Sequence, residues 1–385
     1  MDDPLRQEIA ALRDQDWAVR EDAATRLGRF KDPRAVEPRI AALRDPDRSV
    51  REATIEALMA IGPSSTAALC ACLTDPDLTV QESASKVLAS IADIEAVPPL
   101  LSALNSSDWI VRMYGAKALG RLSDPRAVMP LLGLLQDPVK AVREAASAAL
   151  VAIGYPAVHP LIKSLAHPDW IVRLRAVEAL SIIRPLEAVP ALIALAFDDP
   201  DSAVREDAVR TLGVIGDERA VEPLITIVTQ QPKLRLVAID ALGVIGDRRA
   251  VPVLIDIFYR YKPPVSAPSA LTDCTLSQDP TALEQIAAVR ALGMIDDDAS
   301  LPILATALTF VPTRREAAAA LARFGHRAIP WLQRTLQDVR DDSTHRLVSQ
   351  LLASLQSPID GRGWKTASPT APSRAINQRT GRDVV

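Results

Sequence analysis

A block of about thirty-one residues, clearest at 203–225 as AVREDAVRTLGVIGDERAVEPLI, recurs along almost the whole chain. A period of this length marks supersecondary units that cannot bury their apolar faces alone and must stack. Val-Arg is the clearest marker, at Val19-Arg20, Val50-Arg51, Val111-Arg112, Val142-Arg143, Val172-Arg173 and Val204-Arg205. Val80-Gln81 and Leu234-Arg235 are weaker copies, and Gln285, Arg314 and Arg346 take the aligned place in the last three units. Successive anchors lie 29 to 32 residues apart, except that Arg235 and Gln285 are 50 apart, which places an insertion between them.

The period inside each unit is helical. In the seventh unit Val204, Ala208, Leu212 and Ile215 fall on one stripe of a first helix, and the spacing predicts that this stripe is buried. Gly216 follows, with equivalents at Gly62, Gly154, Gly246 and Gly325, where a left-handed cap ends a helix at least cost. Val221, Leu224, Ile225 and Val228 then give a second helix with Pro223 near its start, a place where proline forfeits no helical hydrogen bond. Between units stand Asp45-Pro46-Asp47, Asp75-Pro76-Asp77, Asp137-Pro138, Pro168-Asp169 and Pro200-Asp201. There proline stops one helix and aspartate caps the next.

Composition agrees with an all-α solenoid. Hydrophobic residues make up 48% and aromatics only 4%, the mixture of an Ala/Leu/Val/Ile helical core without strand signals. A net charge of -4 with interspersed signs supplies no field for nucleic acid or an anionic membrane. Three cysteines, Cys70, Cys72 and Cys274, make no disulfide framework or zinc spacing, so a cytoplasmic, reducing setting is expected. The acidic start MDDPLRQEIAAL does not read as a signal peptide, and no membrane span is expected.

These motifs resemble the HEAT-like repeats of the phycobilisome-lyase type, whose pattern is close to D-P-x-x-x-V-R-x-x-A-x-x-A-L-G-x-I-G-D-x-x-A-V-x-P-L. The resemblance spans residues 15 to about 355 and implies a right-handed α-α superhelical solenoid of about eleven helix pairs. It further implies an Asp–Arg ladder between neighbouring turns, involving Arg51, Arg112, Arg143, Arg173 and Arg205, and second helices on the concave side. Ile9 to Leu12 align with Ile40 to Leu43, so residues 1–14 are expected to form a half-repeat cap on a solenoid covering 1–355. An inserted loop is expected at 258–280, and a disordered polar tail at 356–385.

Departures from the repeat are the candidate partner-binding sites. Trp17, Trp109 and Trp170 occupy one repeat position beside an aspartate, either packing over the neighbouring loop or serving as binding anchors. Phe258, Tyr259 and Tyr261 open the insertion, which reads as a partner-contact loop or a tolerated insertion. In the tail, Trp364 is the one bulky apolar group of the first part. The tail carries +3, leaving -7 on the repeat body since -4 minus +3 is -7; solvated disorder and docking through Trp364 both fit. On the second helices the outward positions, from Glu37, Ala41 and Cys72 to His159, Lys163, Thr226 and Asp256, are mild in character.

A non-catalytic protein–protein interaction scaffold is the expected function, acting as a monomer on a protein or peptide, with no cofactor, metal or catalytic residue. The alternative is a bilin lyase-like chromophore attachment or chaperone enzyme, implied by the family resemblance. Deoxyhypusine hydroxylases share the repeat but hold iron with His-Glu pairs. Here His159, His167, His326 and His345 precede Pro, Pro, Arg and Arg. HEAT-like DNA glycosylases need a basic groove, which is also missing.

Overall fold

The computed structural model describes residues 3–30, 32–260 and 280–356, and within them every regular element is helical. Eleven longer helices, from Trp17–Phe30 to Asp342–Gln356, alternate with eleven shorter ones, from Pro4–Ala11 to Ile329–Asp338. The longer helices carry the Val-Arg anchors and stack side by side as one layer, and the shorter ones form the second layer. The architecture is the expected all-α superhelical solenoid. The short helix Pro4–Ala11, within the residues expected to form a half-repeat cap, packs against the long helix Trp17–Phe30.

Local chemistry sets the element ends as expected. Asp47, Asp77, Asp108, Asp169 and Asp201 cap long helices, each accepting from the amide two residues on, at 2.7 to 2.9 Å. Gly62, Gly154, Gly216, Gly246 and Gly325 all follow helices with positive φ. Ala92, Ser123, Arg184 and Asp296 take up the same left-handed place without being glycine. Most short helices are preceded by a 3-10 turn capped by another aspartate, as Asp217 Oδ1 accepts from the Arg219 amide at 2.8 Å.

The two layers differ in how closely they pack. Gly28, Gly120, Gly213, Gly243 and Gly293 lie within long helices and abut Ala57, Ala149, Ala241, Ala291 and Ala320 of the following long helix. A Cβ on Gly120 or Gly213 would stand 2.7 Å from the neighbouring Cα. Gly213 thus serves the helix interior, in addition to the helix end marked by Gly216. Successive short helices instead touch sparsely and leave clefts between them, such as the one of about 590 Å³ between Tyr155–Ser164 and Val189–Asp198. A stack compressed on one layer and splayed on the other bends with the compressed layer inside. The long Val-Arg helices therefore line the concave side, opposite to the arrangement expected from the resemblance.

One hydrophobic cluster runs from Val36 to Leu352, and a smaller one joins Leu5, Leu12, Ala23, Ala24, Leu27 and Ala35. Arg39 lies at the seam between them. It is fully buried on Val36–Ala42, donates to the Leu27 carbonyl, and leaves Nε and Nη1 without partners. The apolar stretch Arg48–Cys72 has the length and composition of a membrane span. It is turned at Gly62, with φ of 72°, into two helices whose Leu58, Ile61, Leu69 and Cys72 enter the solenoid core.

The insertion begins later than expected. Helix Val251–Arg260 includes Phe258 and Tyr259, and the next described helix is Pro280–Ile295. These two helices pack directly on one another, and the buried Gln285 side chain donates to the Phe258 carbonyl at 3.0 Å. Tyr261, Cys274, Trp364 and the tail lie outside the described residues.

Candidate functional site

Each long helix presents one free face, and in the seventh unit it carries Glu206, Asp207, Arg210 and Val214. Positions three, four and seven apart share a helix face, so equivalent side chains of successive units form rows along the concave surface. The row nine residues after the anchor holds Ile182, Val214, Val244 and Met294 in four consecutive units. Ile182 is 64% exposed, Val244 55% and Met294 39%. Leu236 and Leu283 add exposed apolar surface on the same helices. With helices about 8–10 Å apart, this aliphatic strip is on the order of 30 Å long, a contiguous patch rather than a scatter of single exposed residues.

Charged pairs run beside the strip. Arg175 bonds Glu178 at 2.7 Å, Arg210 bonds Glu206 at 2.7 Å and also Asp207, and Arg290 stands 3.7 Å from Asp240. Burial pushes the Asp207 and Asp240 carboxyls up, against the pull of Arg210 and Arg290. Carboxylates half withdrawn from water in a trough are costly to hold, and a polar partner group would relieve them.

The three tryptophans stand in the first turn of long helices, at the N-terminal edge of this face. Trp17, Trp109 and Trp170 are 48%, 41% and 45% exposed. Leu78 and Val311 occupy the same repeat position and are also exposed. The aromatic singularity of tryptophan drew attention to three members of this row, while an ordinary leucine and valine passed unnoticed.

Phe258 is not a surface contact. It is 1% exposed, forms edge-to-face pairs with Tyr259 at 5.2 Å and Phe310 at 5.6 Å, and belongs to the core. The apolar period of Val251–Arg260 continues past Ile257, and a ring at that place seals the joint to the next unit. Tyr259, 55% exposed, remains on the surface. Cys72, taken as an outward position, is buried, and burial pushes its thiol up; the neighbouring Cys70 is raised to about 11 by burial and by Asp93.

The anchor arginines form the ladder at some places only. Arg112 grips Asp137 of the next loop with two hydrogen bonds of 2.7 and 3.0 Å and donates to the carbonyls of Ser106 and Ser107. Arg20 holds Asp45 and Arg173 holds Asp199 in the same way. Arg51, Arg143 and Arg205 reach only the carbonyls of their own loops. The corresponding acceptors are absent or taken: Asp75 pairs with Arg44, and His167 and Gln231 stand in the other two places. Since the bonded guanidinium groups are spent on structure, the row is no anion-binding array. A second ladder lies at the other loops, where Arg219 and Arg249 clasp Asp217 and Asp247 and reach back to the carbonyls of Leu186 and Glu218. The D-x-R spacing was its only sequence signal. Among the described residues no group of three or more His, Cys, Asp or Glu is placed to hold a metal ion.

Fold and face together define an α-solenoid with a lined concave surface. The family model of HEAT repeats matches residues 5–89, 66–151, 97–181 and 158–233, and that of the PBS lyase HEAT-like repeat matches 234–258, 284–310 and 313–338. The chain belongs to the HEAT-repeat family. Each match of the first set begins on a short helix.

Among curated proteins, the bilin biosynthesis protein PecE of Mastigocladus laminosus is 41% identical over 63 residues, covering 16% of this chain and 23% of PecE. PecE of Nostoc is 42% identical over 57 residues, covering 15% and 22%. The chain thus spans less than a quarter of these relatives. Among solved structures, the karyopherin Kap121p bound to the extreme C-terminus of the protein phosphatase Cdc14p aligns with a TM-score of 0.61 at 14% identity, covering 91% of this chain and 45% of that one. Kap95p with RanGDP gives 0.58 at 14% identity, covering 91% and 57%. At such identities the likeness is one of fold.

Proposed function

We propose that the protein is a non-catalytic scaffold that binds a polypeptide along its concave face, with the aliphatic strip from Ile182 to Met294 as the principal contact. The observation that carries this reading is the strip itself. Four consecutive units carry aliphatic side chains, exposed at Ile182, Val244 and Met294 and half-buried at Val214, at a position where the first five units carry Arg29, Ala60, Ser90, Arg121 and Ala152. An exposed apolar row flanked by ion pairs suits the hydrophobic side of a partner helix or strand. Trp109, Trp170 and Tyr259 are edge contacts in this reading, and the karyopherin structures supply a precedent for such a fold bound to other proteins. A reducing compartment suits its free thiols.

The test is affinity capture and cross-linking with the whole chain beside the Ile182→Glu/Val244→Glu/Met294→Glu variant. Partners that cross-link to the long helices of units six to nine and are lost from the variant support the proposal. Partners retained by the variant, or none at all, defeat it.

A second reading, chromophore attachment or chaperoning, rests on the segment shared with PecE. Coexpression with a bilin and an apo-phycobiliprotein tests it, since a coloured adduct that depends on this chain would favour it over a scaffold.

A further inference from the structure

Several cations of the concave face are matched by carboxylates, while Arg29 and Arg323 stand singly near its ends without an ion pair. Arg26, Arg48, Arg175, Arg210 and Arg290 each have one within salt-bridge range. Lys86, Lys117 and Arg121 do not. They surround a concavity of about 480 Å³ between the third and fifth units, also lined by Met59, Tyr114 and Ser90, and none of its lining residues is acidic. Its floor is made of small residues, chiefly Ala89, Gly120, Ala145, Ala148 and Ala152.

The three cations are arranged for an occupant. Lys86 and Lys117 hold the same position in successive units, and both are exposed. Lys117 Nζ lies 5.2 Å from the centre of the Tyr114 ring, which steadies it over the floor. Arg121 is anchored across the interface by a 2.8 Å bond from Nη1 to the Ala89 carbonyl. Glu82 points to Asp108 instead, and Glu144 is paired with Lys140. A cluster of three unneutralised cations is the more notable on a repeat body of net charge -7, where self-repulsion favours keeping each cation beside an acid.

We infer that this concavity is a docking site for an acidic polypeptide segment, one whose Asp or Glu side chains reach Lys86, Lys117 and Arg121 while its backbone lies on the alanine and glycine floor. The small floor admits a backbone closely. Cations on neighbouring helices, about 8–10 Å apart, match carboxylates spread along a chain better than one compact phosphate, and two of the three are ammonium groups rather than the planar forks that grip phosphate bidentately. The inference rests on the polypeptide-binding reading above but concerns different residues, so the two are separable.

The experiment is a fluorescence-anisotropy titration of a labelled octaglutamate peptide with the full chain, beside octalysine and with inorganic phosphate as competitor. Saturable octaglutamate binding that weakens with salt, with an affinity at least tenfold lower in Lys86→Gln/Lys117→Gln and unchanged in Lys233→Gln, an exposed lysine outside the concavity, is expected. Both lysines are exposed, so circular dichroism and melting should be unaffected by their replacement. Equal affinity in the lysine variant, equal binding of octalysine, or displacement by low-millimolar phosphate would each overturn the assignment. Because the peptide is supplied, the result stands whether or not the apolar strip captures a partner.

Discussion

Gly120 and Ala149 meet backbone to backbone across two neighbouring long helices, so closely that a Cβ on Gly120 would lie 2.7 Å from the Ala149 Cα and 2.9 Å from its Cβ. Alanine is the better helix former by about 1 kcal/mol, and on an isolated helix Gly120→Ala would be stabilising. Here the contact is backbone, which cannot swing aside, and overpacking of this kind costs about 1–3 kcal/mol. Gly120→Ala is therefore expected to lower stability by roughly 1 kcal/mol or more, read as a lower urea midpoint. Gly133, with nothing within 4 Å of its absent Cβ, is the control and should gain stability from the same change.

Arg39 sits where the best-preserved unit has Leu224, as the alignment of VEPRIAAL with VEPLITIV makes plain. Burial lowers its pKa while Asp32 alone among the acids opposes the shift, and two of its nitrogens are unpartnered. Replacing an isolated buried ion by an apolar group of similar length is often stabilising by about 1–4 kcal/mol. Arg39→Leu is expected to raise the midpoint and to merge the first pair into the cooperative unfolding of the others. Hydrogen exchange of the helix Trp17–Phe30 measures the second effect: its protection should rise toward that of Arg48–Ile61.

The repeat made the layers, the caps and the glycine ends readable because each follows from side-chain type within one unit. What it did not show depends on relations between units. The concave layer follows from Gly120, Gly213 and their alanine neighbours, and a glycine inside a helix looks the same in sequence whether or not a second backbone presses on it. Phe258 misled for a similar reason. It adjoins a Pro-rich insertion in sequence, yet in space it faces Phe310 from the unit beyond. The aliphatic row from Ile182 to Met294 was hidden because Ile, Val and Met are also the currency of the core, and only stacking shows which of them remains uncovered.

Arg173 and Arg143 share a repeat position but not a partner. Arg173 and Asp199 are both buried and joined at 2.7 and 2.8 Å, whereas Arg143 bonds only the Asp137 and Pro138 carbonyls. Breaking a buried pair leaves the other charge uncompensated and costs about 3–5 kcal/mol. A bond to a carbonyl at the rim is worth about 1 kcal/mol. Arg173→Ala should consequently destabilise several times more than Arg143→Ala in chemical denaturation. The Arg173→Ala/Asp199→Ala double variant should recover part of the loss.

Asp247 gives the fold a defined acid sensitivity. Hydrogen bonds from the Arg249 guanidinium and amide lower its pKa to about 2 from an ordinary 3.8. The folded state therefore holds the Asp247 proton less tightly than the unfolded chain does, and the stabilisation is complete above the ordinary carboxylate range and lost as pH falls from about 4 toward 2. Asp137 shifts in the same direction, since bonds from Arg112 and the Val139 amide outweigh the opposing effect of burial. Asp247→Ala also removes the cap of the 3-10 turn before Val251–Arg260, at a cost of about 1 kcal/mol near neutral pH. The gap between the melting temperatures of wild type and Asp247→Ala should be constant from pH 7 to about 5 and narrow steadily below about 4. A gap that widened on acidification would mean that Asp247 is held in its protonated form, contrary to the bonds that Arg249 makes to it.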